Sequence, residues 1–459
     1  MGQLIAFRAV QGLGGSGLYS LSMIIMPEVT PDRAKKHIAA AVGLVMVVAG
    51  VGGPVLGGVL TQYTSWRWVF WINGPIGGVS LLVFLLAWPN KKHLPSLERR
   101  AWKDVDFVGA FLLIASAVLI VFPFQNATQA TSWTSALFLA PLFAGLLSLA
   151  LLFLWQPFLA ARRARHKQGT GTGTGTGSSS NGGEAPRDIG FALPPVLLGN
   201  RAYVATALQT MLTGFPYLLC VYAFPVRFQV VYGRTALQAG LMLLPMLGAA
   251  AAGTVLAGAV NTTTTTFFET LMASCALMLL GCGLETTAGS GAEVEAKVLG
   301  FLVFVGLGFG LGAAAGTMSA GAEAPVWEHA SAQGIVAQVR ILGGSLGIAA
   351  SSAILGARTQ SDMPPEALAH LASDPSALDP GQWAAIRTTY TEALREMMIV
   401  CCAVLALAMV CTLGLYRRDR VSMEEMYQQR YREEAERRRA AVDVEAPQKL
   451  MGMGSSHSV

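Results

Sequence analysis

Apolar stretches of about 20 residues recur along the whole chain and are separated by shorter polar segments. A helix of that length crosses a hydrocarbon core of about 30 Å. The pattern predicts eleven membrane-spanning helices at about residues 3–26, 38–60, 67–88, 106–124, 137–158, 198–221, 237–260, 267–288, 297–319, 332–357 and 397–416. Unsatisfied backbone is not tolerated in lipid, so the remaining segments are predicted to be loops. The fold class predicted is an all-α polytopic membrane protein.

The composition agrees with this reading. Hydrophobic residues make up 53% of the 459-residue chain and charged residues 13%, whereas soluble domains average about 25% charged residues. The net charge of +5 does not indicate a nucleic-acid partner, because in a membrane protein the positions of the basic residues carry the information. The six cysteines have no zinc-ligand spacing with histidine, so we expect no metal site and interpret them as small packing residues.

Basic residues divide the loops into two alternating sets. One set carries clusters within 33–36, 91–103 and 162–167, and the tail from Arg417 starts on the same side; the opposite set carries single residues such as Arg67, Arg227 and Lys297. The basic set is therefore predicted to be cytoplasmic. The glycosylation sequon at Asn126 falls in a loop that this topology places outside.

The same pattern divides the chain into five segments. They are a remainder of an N-terminal helical bundle (1–88), a cytoplasmic loop with an extra two-helix hairpin (89–158), a Gly/Thr/Ser linker (159–197), a C-terminal six-helix bundle (198–416) and a charged tail (417–459), part of which is expected to be helical. Residues 12–31 and 306–325 both begin Gly-Leu-Gly and both end in proline, which suggests an internal repeat. With this pairing, and with an odd number of spans, about three N-terminal helices are predicted to be missing.

The second predicted span contains "AGVGGPVLGGVL" (49–60), which is unusually rich in poor helix formers. In lipid, helices associate through small residues that allow the backbones to approach. The stretch is therefore either a hinge or tight seam between moving helices, or a static packing groove. The candidate residues are Gly50, Gly53, Pro54, Gly57 and Gly58.

Several motifs in this order resemble one family. "GPVLGG" followed by "SWRWVFWINGPIGG" (65–78) resembles motif C and the next helix of the major facilitator superfamily, in its branch of 14-span drug:proton antiporters. "RAVQGLGGSG" (8–17) resembles motif B, and residues 222–245 and 340–354 resemble the C-terminal half of fungal toxin exporters of that branch. The resemblance implies a major facilitator fold lacking about three N-terminal helices, with roughly 11 remaining. Ala49 departs from motif C, and the motif A loop and the acidic motif of the first helix are absent.

An arginine within a membrane span is a candidate functional residue. The resemblance to motif B implies a proton-coupling role for Arg8, Gln11 and Gly12, although Arg8 could instead extend to the lipid headgroups. Candidates for a substrate cavity are polar residues among apolar ones, with helix–helix hydrogen bonding as the alternative role. They are Asn73, Gln209, Thr213, Tyr217, Gln229 and Arg340.

The function predicted is proton-coupled efflux of small hydrophobic or amphipathic compounds by alternating access, with no enzymatic activity. The alternative is a truncated, non-transporting fragment of such a carrier. No ATP-binding loop is visible, so we expect the proton gradient, and no cofactor, to drive transport. The expected partners are a small hydrophobic substrate and the lipid bilayer, for a monomer in the plasma membrane or, alternatively, the vacuolar membrane.

Overall fold

Every regular element in the described part of the chain is a helix. The computed structural model describes residues 2–29, 38–87, 106–126, 135–169, 193–261, 266–289, 291, 295–325, 328–363, 379–416 and 432. The helices are α1 (Gly2–Val29), α2 (Ile38–Tyr63), α3 (Trp68–Trp71), α4 (Asn73–Ala87), α5 (Phe107–Asn126), α6 (Ala136–Gly169), α7 (Pro195–Gly199), α8 (Arg201–Val230), α9 (Ala236–Met242), α10 (Leu244–Asn261), α11 (Phe267–Glu285), α12 (Ala296–Glu323), α13 (His329–Asp362) and α14 (Pro380–Thr412), followed by a 3₁₀ turn at Leu413–Leu415.

Nine of these helical segments are long and apolar enough to cross a membrane, and they coincide with the third to eleventh predicted spans. The first two predicted spans correspond to α1 and α2. The prediction of an all-α, multi-pass membrane protein is confirmed. Helix α13 has 34 residues and α14 has 33. At about 1.5 Å per residue, both are longer than the ~30 Å hydrocarbon core and project beyond it.

Asparagine and proline in the sequence suggest two helix breaks, one near Asn73 and Pro75 in the third span and one at Pro216 and Pro225 in the sixth. Between α3 and α4 the helix is interrupted only at Ile72, whose φ of −60° and ψ of −28° stay helical, so the third span continues from Trp68 to Ala87. The break expected at Pro216 and Pro225 is wrong, since α8 runs unbroken through both prolines. Packing on neighbouring helices allows a membrane helix to continue through a proline despite the lost hydrogen bond.

Helix α8 is central to the C-terminal bundle, which comprises α8 to α14. It packs against α12, α13 and α14, while α12 also packs against α10 and α11. The main apolar core includes Phe224 and Phe228 of α8, Met278 of α11 and Met398 of α14, all of them buried. A second apolar cluster at the other end of α8 is built around Tyr203.

The N-terminal helices contact this bundle at two places. Helix α2 packs against α9 and α10, and α1 packs against α13. Helix α4 exposes most of its apolar surface, as expected of a helix that faces lipid.

Helices α5 and α6 form the predicted hairpin, and α5 packs against α13. Asp106 ties the hairpin together at one end, because it accepts hydrogen bonds from Trp155 Nε1 at 3.0 Å and Gln156 Nε2 at 3.2 Å. Residues 170–192 of the Gly/Thr/Ser linker and the charged tail from Arg417, apart from Arg432, lie outside the described residues.

Candidate functional site

Glycines bring the backbones of α8 and α13 into direct contact. A Cβ atom at Gly214 of α8 would collide with the carbonyl oxygen of Arg340 on α13. Gly343 and Gly347 of α13 lie in the same way against the carbonyl oxygens of Met211 and Phe215. This seam of alternating glycines holds the two helices closer than any other residue type would allow.

A second glycine seam joins α10, α11 and α12. A Cβ atom at Gly306 or Gly310 of α12 would collide with the carbonyl oxygens of Met246 or Ala250 on α10. On the other side of α12, a Cβ at Gly308 would lie 2.7 Å from the Ser274 carbonyl oxygen of α11. Helix α12 therefore makes close backbone contacts with both α10 and α11.

The glycines of α1 that align with α12 in the proposed repeat behave differently. A Cβ atom at Gly12 or Gly14 would meet no atom within 4 Å. The sequence similarity between the two segments is not matched by similar packing in the described part of the chain.

The predicted hinge in α2 contacts the C-terminal bundle at one glycine. A Cβ atom at Gly58 would lie 2.7 Å from Leu237 Cα of α9, whereas Gly53 and Gly57 have open space around them. Helix α2 runs through Gly50 and Pro54, but the surroundings of these two residues lie outside what the structure describes. Among the described glycines of α2, the one in close approach to the bundle is therefore Gly58.

The three residues of the predicted proton-coupling motif lie on the exposed surface of α1. Arg8 Nη1 donates a hydrogen bond to Gln11 Oε1 at 3.0 Å, and the guanidinium lies 4.8 Å from the centre of the Phe70 ring. Gly12 is exposed. The bond between Arg8 and Gln11 is the one that their spacing of three residues allows on a helix. None of these contacts assigns a proton-coupling role to Arg8.

Three of the predicted cavity residues line the interior of the C-terminal bundle on α8. Gln209 is fully buried and donates a weak hydrogen bond from Nε2 to Cys275 Sγ of α11 at 3.6 Å. Thr213 is also buried and donates to the Gln209 carbonyl oxygen of its own helix at 3.0 Å. Tyr217 is half-buried and stacks on Phe309 of α12, with ring centres 3.5 Å apart and planes inclined by 4°. Gln209 and Tyr217 thus join helices in this conformation, while Tyr217 also keeps part of its surface open.

Arg340 bridges two helices at the seam with α8. Its Nη2 donates to the Ala313 carbonyl oxygen at 3.1 Å and to Thr317 Oγ1 at 3.0 Å, both on α12. The side chain is half-buried. An arginine that satisfies two acceptors on one neighbouring helix fixes the distance between α12 and α13.

Two of the remaining candidates, Asn73 and Gln229, lie at the surface. Asn73 Nδ2 donates to the Val69 carbonyl oxygen, and Gln229 Nε2 donates to the Pro225 carbonyl oxygen, so each bonds one turn back along the chain. Asn126 is the last residue of α5, and the rest of its sequon lies outside the described residues.

Four charged residues in the described part of the chain are buried, and the two most deeply buried, Arg227 and Glu285, were not selected by the sequence analysis. Arg227 was predicted to lie in an external loop, and this is wrong: α8 extends to Val230, and Arg227 is only 2% exposed within it. Glu285 ends α11 and is 1% exposed. A signal was present in the sequence, because Arg227 directly follows an apolar run and is followed by another.

Other charged groups near this end of the bundle form ion pairs with side chains of opposite charge. Glu295 precedes α12, and its Oε2 lies 2.8 Å from Lys297 Nζ. This contact holds the pKa of the Glu295 carboxyl below its ordinary value. Arg358 of α13 forms a second cluster with Asp362, Glu392 and Glu396.

Neither metal ligation nor disulfide bonding defines a site here. Within the described ranges, no group of three His, Cys, Asp or Glu side chains could hold a metal ion. All six cysteines are free thiols, and four of them are buried between helices. Their small side chains fill the core of the bundle.

Comparison with known proteins identifies the family. The family model of the Major Facilitator Superfamily matches residues 1–127. The chain is 31% identical over 362 residues to the MFS-type transporter FPY5 of Fusarium mangiferae, an alignment that covers 77% of this chain and 57% of the relative. It is 28% identical to the efflux pump roqT of Penicillium rubens (67% and 52% covered) and 28% identical to the MFS-type efflux pump MMF1 of Pseudozyma antarctica (79% and 62% covered). A crystal structure of a bacterial homologue of the human lysosomal transporter Spinster aligns at 14% identity over 88% of each chain, with a TM-score of 0.39.

The fold and these similarities define a helical, multi-pass membrane protein that belongs to the major facilitator superfamily. Its relatives are named fungal transporters and efflux pumps, which are not enzymes. The aligned part of the chain spans between 52% and 62% of the length of the three relatives above.

Proposed function

We propose that this chain exports small hydrophobic or amphipathic compounds, with the proton gradient as the driving force and no other cofactor. The observation that carries the proposal is the contact of Gly58 with Leu237, where the glycine-rich α2 meets the C-terminal bundle in a chain whose relatives include efflux pumps. Two helical groups that touch through a glycine can change their relative tilt without separating large side chains. Such rocking is the basis of alternating access.

The substrate site that fits this proposal lies between α8, α12 and α13. Tyr217 and Phe309 provide a stacked aromatic surface, and the half-buried Arg340 lies on the adjoining seam. An apolar wall with few polar groups suits ligands that are themselves mostly apolar. Gln209 and Thr213 are buried and hydrogen-bonded in this conformation, so they would contact a ligand only after α8 moves.

We propose that the protein acts as a monomer in the plasma membrane, with the vacuolar membrane as the alternative location. The test is expression of the full 459-residue chain in a drug-sensitive yeast strain, with accumulation measured for a panel of lipophilic fluorescent compounds. We expect lower accumulation of at least one compound, and a protonophore should abolish the difference.

The alternative is that the chain is a non-transporting fragment of a carrier. It would be supported by unchanged accumulation of every compound in cells where the protein is correctly inserted at the surface. Surface labelling of the same cells provides the control for insertion.

A further inference from the structure

Two side chains of opposite charge are buried at the same end of the C-terminal bundle. Arg227 comes from the last turn of α8, and Glu285 is the last residue of α11. They are 2% and 1% exposed, respectively. Lys, Arg, Asp and Glu are almost never fully buried unless they are paired, so this arrangement requires an explanation.

The two groups interact electrostatically but are not hydrogen-bonded to each other. Arg227 Nη2 donates to the Gly289 carbonyl oxygen at 2.9 Å, and its guanidinium lies 5.7 Å from the centre of the Tyr232 ring. Arg227 Nε and Nη1 have no hydrogen-bond partner in the described part of the chain. Both carboxyl oxygens of Glu285 also lack a partner there.

An ionised carboxylate in this position would be unstable. Removing such an ion from water carries a large free-energy penalty unless the ion is paired and hydrogen-bonded. Glu285 also lies at the C-terminal end of α11, where the helix dipole places partial negative charge. The described conformation therefore suits a neutral Glu285, whose carboxyl retains its proton.

Among the described residues, one cation near Glu285 could stabilise the ionised form. The other titratable groups described around Glu285 are thiols: Cys282 one turn earlier on α11, Cys220 on α8, and Cys401 on α14 beside Cys282. Glu295 is half-buried and Lys297 is exposed at the start of α12, and the two side chains are paired with each other. Arg227 is thus the charge partner available to Glu285 among the described residues.

We propose that Glu285 is the proton-binding residue of the transport cycle and that Arg227 is its charge partner. On release, the O–H bond of the carboxyl breaks, the proton passes to water at that end of the bundle and the electron pair stays on the carboxylate. The Arg227 guanidinium then leaves the Gly289 carbonyl oxygen and pairs with Glu285, which draws α8 towards α11. Because α8 also carries Tyr217, this movement links proton binding to the proposed substrate surface.

The assignment rests on the proposed proton-coupled transport, but its first test needs no substrate. The full chain in lipid nanodiscs is examined by infrared difference spectroscopy as the pH is changed. We expect a band from the C=O stretch of a protonated buried carboxyl that disappears at high pH. Glu285→Gln should remove this band, whereas the matched control Glu295→Gln, near the same arginine but paired with Lys297, should leave it unchanged.

A band that persists in Glu285→Gln, or is absent from the wild-type protein, would overturn the assignment. Size-exclusion chromatography reports whether the variant is folded. If Glu285→Gln aggregates, Glu285→Asp keeps a carboxyl in a new position, and the band should then shift in frequency; an unshifted band would equally overturn it.

The second test uses inside-out vesicles and a compound that the wild-type protein transports. Glu285→Gln should lose stimulation by a pH gradient but still exchange the compound at equal pH, and Glu295→Gln should behave as wild type. Gradient stimulation that survives in Glu285→Gln would overturn the assignment. If the wild-type protein moves no compound although the infrared band behaves as expected, the proposed function fails and the proton site stands.

Discussion

At the scale of single residues, the meaning of each glycine depends on what lies opposite it. Gly57 and Gly58 are adjacent on α2, yet only Gly58 contacts another backbone. Likewise, the two arginines Arg8 and Arg227 both fall in apolar sequence, but one is exposed and the other is buried. A residue type therefore indicates which interactions are possible, and its neighbours decide which one occurs.

The pair of adjacent glycines gives a matched test of the α2 contact. Gly58→Ala should lower transport and thermal stability, because the new Cβ would lie 2.7 Å from Leu237 Cα. Overpacking of this kind typically costs about 1–3 kcal/mol. Gly57→Ala should be neutral or slightly stabilising, since no atom lies within 4 Å and alanine favours the helix. Thermal unfolding in detergent and efflux from cells measure the two effects; equal behaviour of the two variants would contradict the contact.

Tyr217 offers a test of the proposed substrate surface. Tyr217→Ala removes the stack with Phe309, a type of aromatic contact worth about 0.5–1.5 kcal/mol, and should reduce efflux several-fold. Tyr217→Phe keeps the ring and should retain most of the activity. Tyr222→Ala, on the exposed face of the same helix, is the control and should transport normally. If Tyr217→Ala retains full efflux, the Tyr217–Phe309 surface is not part of the substrate site.

At the scale of helices, packing overrides local propensity. Helix α8 continues through two prolines because α12, α13 and α14 surround it. Glycine seams set how closely these helices pack. The α8–α13 pair, for example, depends on three glycines that face carbonyl oxygens.

The α8–α13 seam can be tested with a second glycine comparison. Gly343→Ala places a methyl group against the Met211 carbonyl oxygen and should push α13 away from α8, with a loss of about 2 kcal/mol. Gly248→Ala on α10 meets no atom within 4 Å and serves as the control. Temperature-dependent aggregation of the purified variants is the measurement. If Gly343→Ala aggregates at the same temperature as Gly248→Ala, the close contact between α8 and α13 would be contradicted.

At the scale of the whole molecule, the described residues of the N-terminal helices meet the C-terminal bundle at separate places. Helix α2 reaches α9 and α10, and α1 reaches α13, while α4 remains largely exposed. Contacts of this extent allow one group to tilt against the other, which is what alternating access requires.

The predicted topology can be tested on the intact chain. Epitopes inserted in the Gly/Thr linker and after Val459 should both be inaccessible in intact cells and accessible after permeabilisation, because basic segments remain in the cytoplasm. The loop after Asn126 should show the opposite behaviour, and Asn126→Gln should remove any glycan detected by a glycosidase shift. An accessible tail together with an inaccessible linker would contradict the assumed arrangement of the spans.

The fold was more predictable than the site. All nine membrane-span candidates were visible as apolar stretches, because a lipid-embedded segment must satisfy its backbone internally and match the bilayer in length. Site residues such as Gln209 could be selected as polar groups in apolar sequence, but their partners could not. Cys275 lies far from Gln209 along the chain and is brought to it only by the packing of α8 against α11.

The sequence by itself determined that this protein is a bundle of membrane-spanning helices of the major facilitator superfamily, because hydrophobic length and motif order are local properties. Only the tertiary structure decided that Gly58, and not Gly57, touches the bundle, and that Arg227 and Glu285 share a buried site. The physical reason is that the rotation and register of one helix against another depend on the fit of whole surfaces. A buried charge can be recognised only when the groups around it are known.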